Sequence, residues 1–330
     1  MKNHWSNLPE KFLARMDDIV SPEEKKIILE SFMKERPTTL RANRLKTTKK
    51  ELLQIFSDAN ISISPVPWYD DAFIVDAAQR ALPGVATMRN ITDLPAYSEG
   101  KFYVQSLSSM IPALVLEPHP EEKVLDLCAA PGSKTTQIAM MMENQGEIIA
   151  NDNSKIRSYK LEANIKMQGV ENTMISNLAG QIFWQTHQEQ FDKTLVDVPC
   201  SMEGRFDTSD PKTYEWWSPG KVKELSEKQK WLLRSAVSST KPGGVIVYST
   251  CTLAPEENEM VIDWIIKKEK GAVEILPIHI PNCPTRNGLS TYRGKSFTDG
   301  MDKTLRIFPD GTMEGFFVAK LGKTKSTVRG

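Results

Sequence analysis

Two cysteines close apolar runs in this chain, Thr194-Leu-Val-Asp-Val-Pro-Cys200 and Gly243-Gly-Val-Ile-Val-Tyr-Ser-Thr-Cys251. Each run has the length and β-branched content of a buried strand. A third strand, Lys123-Val-Leu-Asp-Leu-Cys128, runs into the small-residue loop Ala129-Ala-Pro-Gly-Ser-Lys134. In an open parallel sheet, ligands bind outside the carboxyl ends of the strands. Two thiols and a carboxylate meeting there suit covalent chemistry on an electrophilic ring, with a cofactor alongside.

The elements that must position these groups follow from periodicity. Residues 8–60 read as helical, with apolar positions at helical spacing, and Ser21-Pro-Glu-Glu24 is a strong helix start. The proline-bearing stretch 61–100 suits short strands and turns. From Gln105 onward, strands at 123–128, 147–151, 173–177, 191–198 and 244–250 alternate with helices at 105–116, 134–143, 154–168, 221–239 and 256–268, and a last strand covers 314–321. That alternation predicts an α/β fold with a parallel sheet and crossover helices.

Net charge is zero over 330 residues, with 40% hydrophobic and 25% charged residues, so composition points to an ordinary globular enzyme. Local charge differs. Residues 34–50 hold seven basic side chains against one acid, and Arg41, Arg44 and Lys46 are the candidate phosphate contacts. The alternative is a solvated charged face. The four cysteines form no C-x-x-C and the four histidines are scattered, so no metal site is expected. Without an apolar leader or an 18-residue apolar run, the expectation is a cytoplasmic protein with reduced thiols and no membrane partner.

The loop after the first strand lacks the glycines of a phosphate loop or a dinucleotide fingerprint. Asp152, about 20 residues on, stands where nucleotide-binding α/β folds bond a ribose, or else it caps a helix.

The segments Asp126-Leu-Cys-Ala-Ala-Pro-Gly-Ser-Lys134, Asp197-Val-Pro-Cys-Ser201, Tyr248-Ser-Thr-Cys-Thr252 with Pro255-Glu-Glu-Asn258, and Glu314-Gly-Phe-Phe-Val318 closely resemble the Nop/Sun family of RNA cytosine-C5 methyltransferases. The resemblance runs from about residue 35 to 321. It implies a Rossmann-like S-adenosylmethionine-dependent methyltransferase fold with a smaller N-terminal α+β domain. The division would be a helical segment over 1–35, a small RNA-recognition-like domain over 36–100 and a catalytic domain over 101–330.

The resemblance further implies that Cys128, Ala129, Ala130, Pro131, Gly132, Ser133 and Lys134 cradle the methionine part of S-adenosyl-L-methionine and that Asp152 holds its ribose. Asp197 would lie near the methyl donor and the target base. Cys251 would be the nucleophile and Cys200 the group that allows product release. The partner would be RNA, ribosomal before transfer RNA, with no obligate protein partner. The competing class is a ribosome-assembly or RNA-binding factor that kept the fold without turnover.

One departure stands out. The family usually carries Asp-Gly after the third strand, its Asp meeting the adenine, and here the segment reads Asn177-Leu-Ala-Gly180. The methyl of Ala179 accepts no hydrogen bond, which leaves Asn177 as the first suspect for the adenine. Met202 stands where a glycine is usual.

Overall fold

The capping signal at Ser21 folds as a full capping box. The Ser21 hydroxyl accepts from the Glu24 amide, and the Glu24 carboxylate accepts from the Ser21 amide. The computed structural model describes residues 4–76 and 91–327, so residues 77–90 of the stretch expected to hold strands and turns lie outside it. Helices α1 (Glu10–Met16) and α2 (Pro22–Ser31) open the chain. The helical expectation for 8–60 fails beyond them: Thr39–Ala42 is a strand, β1, and helix resumes only at α3 (Lys49–Asp58). All four residues of β1 are buried, because both of its faces are covered. With β2 (Ile63–Val66), β3 (Tyr69–Val75) and β4 (Phe102–Val104), it forms an antiparallel sheet of order β2-β3-β1-β4. The fourth strand of this small α+β unit thus comes from beyond residue 100.

Helix α4 (Leu107–Leu116) leads into the main sheet. There β5 (Lys123–Asp126), α5 (Ser133–Met141), β6 (Glu147–Asn151), α6 (Lys155–Gln168) and β7 (Thr173–Ser176) build outward on one side. Strand β8 (Phe191–Asp197), helix α7 (Pro219–Ser239), β9 (Thr240–Thr250) and α8 (Glu259–Lys268) build on the other. Strands β5 to β9 pair parallel in the order β7-β6-β5-β8-β9, so the direction of winding reverses between β5 and β8. A crevice at that reversal is where such sheets hold ligands.

Beyond the expected elements come β10 (Val273–Leu276), the two-residue pairings β11 (Arg286–Asn287), β12 (Thr291–Tyr292) and β13 (Lys295–Ser296), and β14 (Leu305–Ile307). The last strand, β15 (Phe316–Lys323), lies antiparallel on β9. Helices cover both sheet faces. Leu107, Ile111 and Ile138 pack on Val124, Val247 and Val318, while Leu233, Ile262 and Ile265 pack on Val196, Ile246 and Phe317. A separate apolar cluster joins Phe12 and Phe32 of the N-terminal helices to Phe206, Tyr214 and Tyr292. No described helix is long and apolar enough to cross a membrane.

Candidate active site

Strands β8 and β9 are paired neighbours in parallel register, with Asp197 opposite Ser249. The chain just past each strand therefore emerges on the same side, and the two thiols meet: Cys200 Sγ lies 3.2 Å from Cys251 Sγ, both unoxidised. The Cys251 amide also points at Cys200 Sγ, at 3.3 Å. Cys251 is on the wall of the cavity at the strand ends, which has a volume of about 350 Å³, and Cys200 does not line it. Its hydrogen bond to Cys251, followed by burial, holds the Cys200 thiol well above the ordinary thiol range. Cys200 is therefore protonated at neutral pH and able to donate toward Cys251.

The carboxylate beside them is tied down. Asp197 accepts from Lys134 Nζ (2.7 Å) and from the Ser249 hydroxyl (2.7 Å), and Lys134 also donates to Ser109 (2.8 Å). Lys134 and Asp197, 63 residues apart, thus form one charged unit in the cavity wall. Ala129, Ala130, Pro131 and Ser133 line the same cavity, as do Cys128 and Asp126. Burial pushes the Cys128 thiol up, so it serves as a neutral wall. Gly132 does not line the cavity. It has φ +106°, and a Cβ there would press on Leu161 at 2.9 Å, so its role is to let α5 start against α6.

Asp126 is the residue that sequence reasoning passed over, although it opens the quoted motif. It is fully buried; Oδ2 accepts from the Thr135 hydroxyl (2.7 Å) and Oδ1 has no side-chain partner among the described residues. Burial raises its pKa to about 7. A buried carboxyl with an open oxygen on a cavity wall suits a cationic group, and the ammonium of an amino-acid-bearing cofactor fits it.

The raised value gives a testable sign. Between the exposed value of 3.8 and the folded value of about 7, the folded state holds a proton that the unfolded chain has released. This contribution to stability is complete below about pH 4 and is lost as the pH rises through about 7. Across pH 4 to 8, the thermal midpoint of wild type should fall relative to that of Asp126→Asn as the pH rises, because only wild type carries the titrating carboxyl. A parallel pair of curves would remove Asp126 from the titration.

The loop carrying Cys200 is clamped from below. Glu257, fully buried, accepts from the Ser201 amide (3.0 Å), the Ser201 hydroxyl and Gln229 Nε2 (2.7 Å), and Gln229 also donates to the Pro199 carbonyl (2.8 Å). Burial raises Glu257 to about 7 as well. The Gly204 amide donates to the Cys251 carbonyl (3.1 Å), and the Gly315 amide to the Gly204 carbonyl (2.9 Å). A Cβ on Gly204 would sit 2.2 Å from the Gly315 oxygen, so only glycine lets these backbones abut. Arg15 of α1 reaches the same loop, bonding Glu203 and, at 3.2 Å, Glu256. Arg205 lines the cavity beside Cys251 and pairs with Glu314 at 3.2 Å. Nothing local in the sequence marks Arg15 or Arg205, because their partners lie far along the chain.

The basic stretch is corrected. Arg41 is 1% exposed, and its guanidinium donates to the Ser133 carbonyl (3.3 Å) and the Thr136 hydroxyl (3.0 Å). It is an internal strut between the small sheet and α5, unavailable to a phosphate. Lys46 is exposed, yet its ammonium donates to the carbonyls of Glu99 (3.1 Å) and Met167 (3.0 Å). Arg44 is half exposed and pairs with Asp71 at 3.0 Å.

Asp152 is buried; it accepts from the amides of Ala130 (3.3 Å) and Ser154 (2.9 Å) and pairs with Arg157 at 3.2 Å. It lines a narrow side crevice of about 20 Å³ that shares Cys128 and Arg157 with the strand-end cavity. Asn177, the suspect for the adenine through its side-chain carbonyl, donates its amide nitrogen to the Asp152 carbonyl (2.9 Å) and the Ser158 hydroxyl (2.5 Å) and does not line the side crevice.

Known proteins share this architecture. The family described as 16S rRNA methyltransferase RsmB/F matches residues 113–322, and the N-terminal domain of 16S rRNA methyltransferase RsmF matches residues 8–107. Ribosomal RNA small subunit methyltransferase F of Escherichia coli is 36% identical over 334 residues, which cover 99% of this chain and 65% of the relative. The chain thus spans just under two thirds of that relative's length. The crystal structure of a methyltransferase homolog protein from Pyrococcus horikoshii superposes with a TM-score of 0.83 at 29% identity, covering 98% of this chain and 99% of the other. NSun6 from the same organism, solved with SFG, gives 0.80 at 25% identity, covering 96% and 99%. The reversed winding of the sheet, the two matched segments and the full-length likeness converge on one assignment: the chain belongs to the RsmB/F family of 16S rRNA methyltransferases.

Proposed function

We propose that this chain moves a methyl group from S-adenosylmethionine to carbon 5 of a cytosine in RNA, with the RNA of the small ribosomal subunit as the first substrate. The observation that carries the reading is the pair of thiols 3.2 Å apart beside the Lys134–Asp197 unit. A protein that only binds RNA has no use for that set, which argues against a non-catalytic assembly factor. The cofactor supplies an electrophilic methyl group. Asp126 would hold its ammonium, residues 128–134 its amino-acid portion and Asp152 its ribose.

Carbon 5 of cytosine is a weak nucleophile. Addition of Cys251 Sγ to carbon 6 makes carbon 5 an enamine terminus able to take the methyl group. The ring needs a proton at N3 as charge builds there. Asp197 would face it, with Lys134, 2.7 Å from Asp197, as the proton source. The carbon-5 proton then goes to a base and the Cys251–carbon 6 bond breaks. Cys200 is the candidate base: its own thiol proton would first pass to solvent, and the thiolate would then take the carbon-5 proton, so that Cys200 ends as the thiol it began as while the Cys251–carbon 6 bond breaks. The target base must leave its stack to enter the cavity. Arg44, half exposed, remains a proposed phosphate contact.

Bisulfite sequencing of ribosomal and transfer RNA, with and without the gene, tests the reading. Loss of one or a few protected cytosines in small-subunit RNA is the expected result. Loss confined to transfer RNA would move the substrate, and no change in either would end the enzyme reading.

A further inference from the structure

The reacting end of the cavity is fixed by Cys251 and Asp197, so the nucleoside of the cofactor lies toward Asp152 and the end of β7. The adenine carries an amine that needs an acceptor. The side crevice there is lined by Asn151, Asp152, Asn153, Arg157, Gly180, Gln181, Pro199 and Lys228 among others. Arg157 and Lys228 only donate. Asn151 is spent on Leu127 and Leu178, Asp152 is the group assigned to the ribose, and the Pro199 carbonyl accepts from Gln229.

Asn153 and Gln181 remain, with no hydrogen bond to either side-chain amide among the described residues. Asn153 follows the ribose acid directly on the β6 side. Gln181 lies past β7, two residues after Ala179, in the first turn of the 3-10 segment Gly180–Gln185. We propose that Gln181 reads the 6-position of the adenine, taking over from the acceptor that Ala179 lacks. The inference rests on the cofactor reading above. Arg157, half exposed on a flexible stem, must turn away from the crevice to admit the ring.

An amide differs from a carboxylate in one useful way. It accepts from a 6-amine through its oxygen and, turned over, donates to a 6-oxygen through its nitrogen, whereas a carboxylate only accepts. The site therefore tolerates a 6-oxo purine.

Calorimetry with S-adenosylhomocysteine and S-inosylhomocysteine tests this. Wild type should bind the two within a few-fold of each other. Gln181→Ala should weaken S-adenosylhomocysteine about 2- to 13-fold, the range for one net hydrogen bond. Gln181→Glu should retain the adenosyl ligand and lose the inosyl one by at least about tenfold, because two acceptors then face each other. Unchanged binding by Gln181→Ala, or a loss found at Asn153→Ala instead, overturns the assignment. Failure of wild type to bind S-adenosylhomocysteine at all overturns the cofactor reading and the inference with it.

Discussion

Under the proposed mechanism, Cys251→Ala is expected to reduce methyl transfer to RNA by at least about 10⁴-fold, because the other thiol on the cavity wall, Cys128, is kept neutral by burial and the adduct at carbon 6 is lost. Cys200→Ala should fail differently. Addition and methylation proceed, the carbon-5 proton is not removed in time, and protein remains attached to RNA as a slow band on a denaturing gel. The expected difference is argued from their places, since Cys251 lines the cavity and Cys200, 3.2 Å from it, does not. Exchange of the two phenotypes would reverse the roles, and full activity in both variants would dismiss covalent catalysis. Combining the two substitutions should abolish the slow band.

The largest effect on stability is expected at Arg306. It is 1% exposed and makes a two-pronged pair with the fully buried Glu259, at 2.6 and 2.5 Å, while donating to the Leu253 carbonyl at 2.9 Å. Arg306→Met leaves Glu259 charged and without its partner in the interior, a loss of about 3–5 kcal/mol. Typical domains have about 5–15 kcal/mol in total, so the variant should unfold at markedly lower urea. Replacing both residues, as Arg306→Met with Glu259→Leu, should recover most of the loss because no lone charge remains. A single-variant loss below about 1 kcal/mol would show that water reaches Glu259. Leu253 lies two residues past Cys251, so the same variant should also lower turnover before it unfolds.

What could be read from the sequence divides by the range of the forces involved. Strand-helix alternation from residue 123 to 268 is a local pattern, and every expected element there formed within a few residues of its expected bounds. The meeting of Cys200 and Cys251 was legible because parallel neighbours end on one side of a sheet. Strand β1 was missed because its alternation, Leu40 and Ala42, spans only four residues between helical stretches, and only the small sheet around them decides. Arg41 was misread for a related reason. A buried guanidinium and an exposed one have the same local sequence, and its partners Ser133 and Thr136 lie more than 90 residues away. Asp126 was overlooked because an acid at a strand end is common, and its open oxygen becomes evident only once the surrounding wall is in place.

The cluster that seats Phe12 and Phe32 against Phe206, Tyr214 and Tyr292 sets an order of events during synthesis. The first two helices leave the ribosome with their apolar faces complete, but the residues that cover those faces are made only after the first four strands of the main sheet. At about 5–20 residues per second, that gap lasts on the order of ten seconds. Through that interval the nascent N-terminus carries uncovered aromatic surface, the kind that chaperones hold. Arg15 likewise reaches Glu203 and Glu256 only at the end. The loop that carries Cys200 therefore gains its tie to Arg15 only once segments about 190 to 240 residues apart have both been made.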